Sequence, residues 1–493
     1  MTIMSDGEDN DVINHSKFTI YKLNLANELK DPTKSIKKIW KYVNEHINDE
    51  EERKDIIEVC EGLDFIPLLL CNYDGSLSKK DKYIYDIINK LEENYNISLS
   101  KFMPFSFGEK GKGYYNNLQK LGTILHQRQT FSEALSQLDK NRMLFSIKTL
   151  STPHELPEDA KRHIYDPRFM LRMFCTMLEP GSDLNCKSFI TSYCLSYLFA
   201  STSIKDEDLR GLAYIGLQRF FIHSNQLTTD NFDTKRLVQQ LIRLFKESVT
   251  VIKQRIPNII SQFFGKASID ICDSSSPVFC RLSSYIISTP YISFNQPIQF
   301  YAMLESCSPN KLNVETEWIL ELLSCSVVEP EDLHILERVG GLKACLSLYA
   351  SDISTIPVRK YILILINNLI KHPNCTWTLI NIYNIHAWIL QVIIGDKTTN
   401  WETCFLSRIY YRICLNFKEY IKKEMEEENN DTKIDNEKVL FLSQSLKYVG
   451  PLILSKFEDS FKKQLITSKV GSSKTDNTTP EDLDILLKED WSL

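Results

Sequence analysis

Glycine is scarce in this chain, with 16 in 493 residues, well below the roughly 7% of average proteins. Sheet-rich folds and nucleotide-loop enzymes of this size need more, for turns and close backbone approaches. Long helices on short connections need few. Phosphate loops are missing, since neither G-x-x-x-x-G-K-[ST] nor G-x-G-x-x-G occurs. The nine histidines form no His-Glu-x-x-His, and the nearest pairs, His154/His163 and His372/His386, do not put two rings on one helix face. There is no G-x-S-x-G elbow, and no cysteine stands beside a histidine that would activate it. Carboxylates fall in runs such as Glu50-Glu51-Glu52 and Glu426-Glu427-Glu428, which read as solvated faces. No catalytic, metal-binding or cofactor-binding residue is therefore assigned, and the expectation is a protein without enzyme activity, cofactor or small-molecule substrate.

Long apolar runs are also lacking. None approaches the roughly 20 residues of a membrane span, and the first nine residues are acidic and polar, unlike a signal or transit peptide. The reading is a cytosolic or nuclear protein with no membrane partner. Cys-x-x-Cys is absent too. The thirteen cysteines are odd in number, and Cys175, Cys194, Cys325, Cys345 and Cys414 lie in apolar stretches. That predicts buried free thiols in a reducing compartment.

What the chain does have is helical patterning. At 43% hydrophobic, it is long enough to bury a large core or several stacked small ones. Asp166 can cap a helix that starts at Pro167, and Phe169, Met170, Met173, Phe174 and Met177 recur on its face. Ser78 caps a second helix, with Asp81 three residues on favouring its positive end. Further stripes follow, such as Leu237, Leu241, Leu244 and Phe245, then Ile256, Ile259, Ile260 and Phe263, then Ile362, Leu363, Ile366 and Leu369. Residues 361–370 leave few polar positions, as in a helix sandwiched between neighbours. Paired helices at intervals of roughly 40 residues predict an all-α fold, a degenerate HEAT/armadillo-like α-solenoid, with a single irregular bundle as the alternative.

The composition divides the chain as follows. Residues 1–16 read as a disordered tail. Residues 17–154 form an N-terminal helical region, with an irregular exposed loop near 101–115 around Lys110, Gly111, Lys112 and Gly113. A helical-repeat block covers 155–420, an acidic linker 421–438, and a terminal helix or helix pair 439–466. A second disordered tail covers 467–493 and carries Ile485, Leu486, Leu487 and Trp491.

The net charge of −6 argues against a whole surface that grips nucleic acid and leaves room for a local patch. Lys235, Arg236, Arg243, Lys246, Lys253, Arg255 and Lys266 give residues 233–266 a positive excess over Asp233 and Glu247. They could form a ridge that positions RNA phosphates without reading bases. The plainer reading is a solvated edge with snorkelling stems. Trp318, Trp377 and Trp388 read as core anchors.

A series of segments in order carries a resemblance. Leu68-Leu69-Leu70 precedes Tyr73, Leu77-Ser78 and Asp81. Tyr165-Asp166-Pro167-Arg168-Phe169 follows, then Leu209-Arg210-Gly211-Leu212-Ala213-Tyr214, Glu317-Trp318, Leu333 to Gly340, and Trp388-Ile389. Over roughly residues 65–395 this resembles the C-terminal region of the nucleolar pre-ribosomal-associated protein 1 family, with Arg210, Ala213 and Tyr214 on a Met-Arg-x-x-Ala-Tyr helix. The resemblance implies an α-solenoid scaffold in the nucleolus, at work in rRNA processing and large (60S) ribosomal subunit assembly. Its partners would be assembly factors including an RNA helicase, and pre-ribosomal RNA with small nucleolar RNAs nearby. It implies no catalysis. The matched residues read as structural, and members of the family are far longer, with a helical region ahead of this part. A cytoplasmic helical-repeat adaptor is the alternative.

Overall fold

The computed structural model describes residues 17–27, 32–47, 49–62, 64–99, 107–121, 130–151, 156–226, 232–306, 313–395, 398–426 and 436–469. The tail expected over 1–16, the middle of the acidic linker and the last tail from residue 470 lie outside them. The fold is all-α: twenty-five helices among the described residues, with one antiparallel bridge, Ser76 to Tyr165, and no strand. The chain divides into two compact units, Met1–Val339 and Gly340–Leu493. This division falls inside the block outlined from composition. Among the described residues, no single helix is long and apolar enough to cross a membrane.

Local chemistry starts several helices where the sequence indicates. Asp166 accepts from the Arg168 amide at 2.9 Å and Pro167 fills the first position of Pro167–Met177. Ser78 accepts from the Asp81 amide at 3.3 Å, and Thr130 and Glu133 form a capping box.

In the first unit, four helices form a row, each packed on the next: Lys140–Thr149, Cys194–Ser201, Asn258–Asp270 and Val314–Ser326. All eight residues of Cys194–Ser201 are buried. The row repeats at roughly 60 residues rather than the 40 read from the sequence, because the short Cys186–Thr191 helix and the long Glu207–Gln226 and Lys235–Ser248 helices lie between its members. Phe199, Phe245 and Phe264 meet at ring distances of 4.9–5.5 Å, a geometry that adds to apolar burial. In the second unit Asn400–Glu426 packs on Ile356–Ile370, Pro373–Asn381, Ile385–Ile394 and Asn436–Lys469.

The exposed loop expected near 101–115 is corrected. Residues 101–106 are not described, but Gly108–Leu121 is a helix packed on Phe65–Cys71. Gly108 turns the chain at φ +61°, and its amide donates to the Tyr73 carbonyl at 2.7 Å. Lys110 reaches the Glu133 carbonyl and the Ser136 hydroxyl at 3.0 and 2.8 Å. These contacts and the packing outweigh the roughly 1 kcal/mol each helical glycine costs. The twelve cysteines among the described residues form no disulfide, and burial pushes the Cys60 and Cys345 thiols up to about 12.

Candidate interaction surface around the 249–257 loop

The first unit contains one loop whose backbone is tied down almost residue by residue. Helix Lys235–Ser248 ends at Val249 in extended conformation, and Pro257 precedes Asn258–Asp270. Between them the chain makes a turn closed by the Gln254 amide on the Val251 carbonyl at 3.2 Å. Its third residue, Lys253, sits at φ +53°, a left-handed conformation that costs a side-chain-bearing residue about 1–2 kcal/mol.

Several bonds hold that conformation. Gln254 Oε1 accepts from the Thr250 and Val251 amides at 3.1 and 3.4 Å. Arg210 Nε donates to the Lys253 carbonyl at 3.0 Å, and the Tyr214 hydroxyl donates to the Gln254 carbonyl at 2.8 Å. Arg210 Nη1 also holds the Ile204 and Lys205 carbonyls at 2.9 and 2.7 Å. The Lys253 stem lies over Gly211, where a Cβ would stand 3.3 Å from Lys253 Cε. Its ammonium comes within 3.4 Å of Glu207 and 3.8 Å of Asp208.

The far end of the loop is anchored to a helix distant in sequence. Arg255 donates to the Ser203 carbonyl at 2.9 Å and pairs with Glu329 at 2.5 Å, while Lys205 reaches the other Glu329 oxygen at 2.8 Å. The Ile256 amide donates to the Thr202 carbonyl at 3.1 Å. Asp332 Oδ1 accepts the Asn258 amide at 3.1 Å, and Oδ2 accepts the Glu329 amide at 3.2 Å. One carboxylate thus joins the starts of Pro330–Arg338 and Asn258–Asp270. Burial pushes Asp332 up to about 6 against the pull of these donors. Burial acts on Glu329 in the same direction, but hydrogen bonds from Lys205 and Arg255 outweigh it and hold its carboxyl below the usual value.

The Glu329 shift fixes a pH dependence. A folded-state pKa below the unfolded one gives stability that is present above the ordinary glutamate value, about 4.3, and lost as pH falls through the folded value. The stability difference between wild type and Glu329→Gln, measured by urea unfolding, is therefore expected to be full at pH 7 and to shrink below about pH 4.

The seven cations of the expected ridge do not stay together as one surface. Lys253 and Arg255 are bound as above. Lys266 pairs with Glu321 at 2.5 Å and stands 4.8 Å over the Trp318 ring. Arg236, Arg243 and Lys246 are exposed on Lys235–Ser248, with Arg243 5.7 Å over the Phe221 ring, and Lys235 is half-buried there. The local positive excess is met by acids from Glu207, Asp208, Glu321 and Glu329, which lie outside the segment. What sequence reasoning missed is the acceptor set, Glu329 and Asp332, and the tip, Val251 and Ile252, which are 61% and 92% exposed.

The other singled-out residues make contacts within the fold. The Tyr165 amide donates to Ser146, and Arg142 lies 3.8 Å over its ring. Phe169 meets Tyr73 and Phe107 edge-on at 5.1 and 5.3 Å, and Ala213 is buried. Trp318 donates to Asp270 at 2.8 Å, and Trp388 meets Tyr349 at 5.2 Å. Trp377 stacks on Phe417 and Tyr420. A cleft of about 330 Å3 opens between Tyr85, Ile88, Phe169, Arg172, Met173 and Leu212, and another of about 240 Å3 lies beside Lys266 and Glu321. Among the described residues no group of three His, Cys, Asp or Glu side chains is placed to hold a metal ion.

Fold and surface together define an all-α protein of the helical-repeat kind that displays a closely bonded loop. The family model described as nucleolar pre-ribosomal-associated protein 1 matches residues 195–388, a span that contains the whole loop and its clamps. Two proteins of that name are similar to the chain. The mouse protein is 24% identical over 367 residues, covering 71% of this chain and 16% of that protein. The human protein is 22% identical over 383 residues, covering 70% and 17%. The chain is thus similar to nucleolar pre-ribosomal-associated protein 1 over part of its length, and it spans about a sixth of the length of both relatives. No solved structure matches it.

Proposed function

We propose that this chain is a non-catalytic scaffold of nucleolar pre-ribosomal particles, acting in assembly of the large ribosomal subunit and maturation of its RNA. The observation that carries the reading is the family match over residues 195–388, which takes in the last three helices of the row and the bonded loop. A helical repeat suits display, because each element contacts mainly its neighbours and its surface residues are free to hold partners at fixed separations. Its partners are assembly factors, an RNA helicase among them, and pre-ribosomal RNA close to small nucleolar RNAs. Arg236, Arg243 and Lys246, exposed along Lys235–Ser248, are the cations of the segment best placed for RNA phosphates. Such contacts would position the chain without reading bases and would weaken with salt.

The test is sedimentation of the tagged full chain from nuclear extract. It is expected to run with large-subunit precursors and to dissociate more readily at raised salt when Arg236, Arg243 and Lys246 are changed to Glu. Sedimentation as a free protein at low salt would overturn the reading.

A further inference from the structure

Two β-branched apolar side chains, Val251 and Ile252, stand 61% and 92% exposed on the turn described above. Such residues on a floppy loop would fold back or be averaged by motion. Here the turn is fixed on both sides. Tyr214 and Arg210 hold the carbonyls of Gln254 and Lys253 from below, Gln254 closes on the Thr250 and Val251 amides, and Arg255 ties the exit to Glu329 and Ser203. Lys253 is kept at φ +53°, a conformation that persists only where the surroundings impose it. A rigid apolar tip loses little freedom on association, and this preorganisation favours binding.

The flank of the tip carries three exposed carboxylates, with Lys205, exposed beside them, drawn to Glu329. Asp206, Glu207 and Asp208 are exposed at the start of Glu207–Gln226. Asp206 is bound to the amides of Asp208 and Leu209. The Glu207 and Asp208 side chains are 67% and 94% exposed. Lys253 is the cation facing them, and Arg210 is turned inward to backbone carbonyls. An apolar point beside carboxylates does not suit RNA, whose phosphates would be repelled. It suits a protein surface with an apolar socket edged by cations, in which apolar fit supplies affinity and charge complementarity supplies orientation.

We propose that the Val251–Ile252 tip is a preformed docking knob for another protein, one that offers an apolar socket rimmed by lysine or arginine. The inference rests on the scaffold reading above and gives that scaffold a partner-binding point distinct from the exposed cations of Lys235–Ser248.

The test uses the full chain in cells, with a photo-crosslinking amino acid at position 252 or, as a control, at Ile287, which is 71% exposed. Crosslinked peptides are identified by mass spectrometry. The expected result is a crosslink from position 252, absent from 287, to one protein, in a segment that combines apolar residues with lysine or arginine. Ile252→Asp is expected to weaken co-purification of that protein at least roughly tenfold while leaving the urea midpoint unchanged, since the side chain is exposed. Tyr214→Phe removes a clamp without touching the tip and is expected to give a smaller loss. Crosslinks to RNA, to a second copy of this chain or equally from both positions would overturn the proposal, as would an Ile252→Asp variant that retains the partner. If wild type sediments with particles and Ile252→Asp does so with the same partner, only the knob fails. If wild type does not sediment with particles, the scaffold reading fails whatever the tip does.

Discussion

Arg255→Ala is expected to lower the unfolding free energy of the full chain by about 2–4 kcal/mol, measured by urea denaturation at pH 7. The Glu329 side chain is only 7% exposed. Removing the guanidinium at 2.5 Å leaves its carboxylate largely surrounded by protein, with Lys205 as its one remaining cation. That leftover ammonium places the loss at or below the range for a fully orphaned buried charge. The same change frees the Ser203 carbonyl that Arg255 Nε satisfies. Replacing both partners, as in Arg255→Met with Glu329→Leu, is expected to recover part of the loss, because the desolvated charge goes with its partner. Additive losses in this double-mutant cycle would show that the pair is not coupled.

The second large effect is a reversal of sign at glycine. An alanine in place of a helical glycine ordinarily gains up to about 1 kcal/mol. Gly113, in Gly108–Leu121, has nothing within 4 Å of a built Cβ, so Gly113→Ala is expected to stabilise by that amount. Gly265, in Asn258–Asp270, is different: its Cβ would stand 3.1 Å from the Ser196 carbonyl oxygen and 3.7 Å from Ser196 Cα. Those atoms are backbone of Cys194–Ser201, the helix buried on every side, and they have nowhere to move. The Ser196 hydroxyl also donates to the Gly265 carbonyl across this contact. Gly265→Ala is expected to cost about 1–3 kcal/mol, and Gly265→Val to prevent the row from closing. Thermal or urea midpoints of the two alanine variants, moving in opposite directions, check this. At Gly216 the near neighbour is a side chain instead of backbone, Leu198 Cδ2 at 2.7 Å.

Much of the all-α architecture was legible because its signals are local. Asp166-Pro167 starts a helix for reasons contained in two residues, and the stripe after it is buried as its spacing predicts. Ser78 caps as read, but Asp81 does something the sequence concealed. Its carboxylate accepts the amide and hydroxyl of Ser76 at 2.7 and 2.6 Å, holding the preceding turn. The 110–113 stretch was misread because two glycines among lysines look like a loop, and only packing on Phe65–Cys71 makes them helical. The repeat length was misread because short connecting helices such as Cys186–Thr191 carry no clear period.

The interaction surface was hardest to read because its partners are far apart in sequence. Residues 233–266 look basic when taken alone. Folding brings Glu207, Asp208, Glu321 and Glu329 to three of its seven cations, which turns that part of an apparent ridge into internal bracing. Glu329 and Asp332 did leave a trace, the three-residue separation of a capping box, but nothing local announced that Asp332 would also hold the Asn258 amide. Val251 and Ile252 left none. Two apolar residues in a polar stretch look alike whether tucked in or presented outward, and the outcome depends on Arg210 and Tyr214 beneath them.

The central claim is that this helical chain serves large-subunit assembly by holding other molecules. Depletion of the protein, followed by measurement of free large and small subunits on a gradient, tests it most directly. The account predicts a fall in large subunits with small subunits maintained, restored by re-expression of the full chain. An unchanged subunit ratio after complete depletion would contradict it.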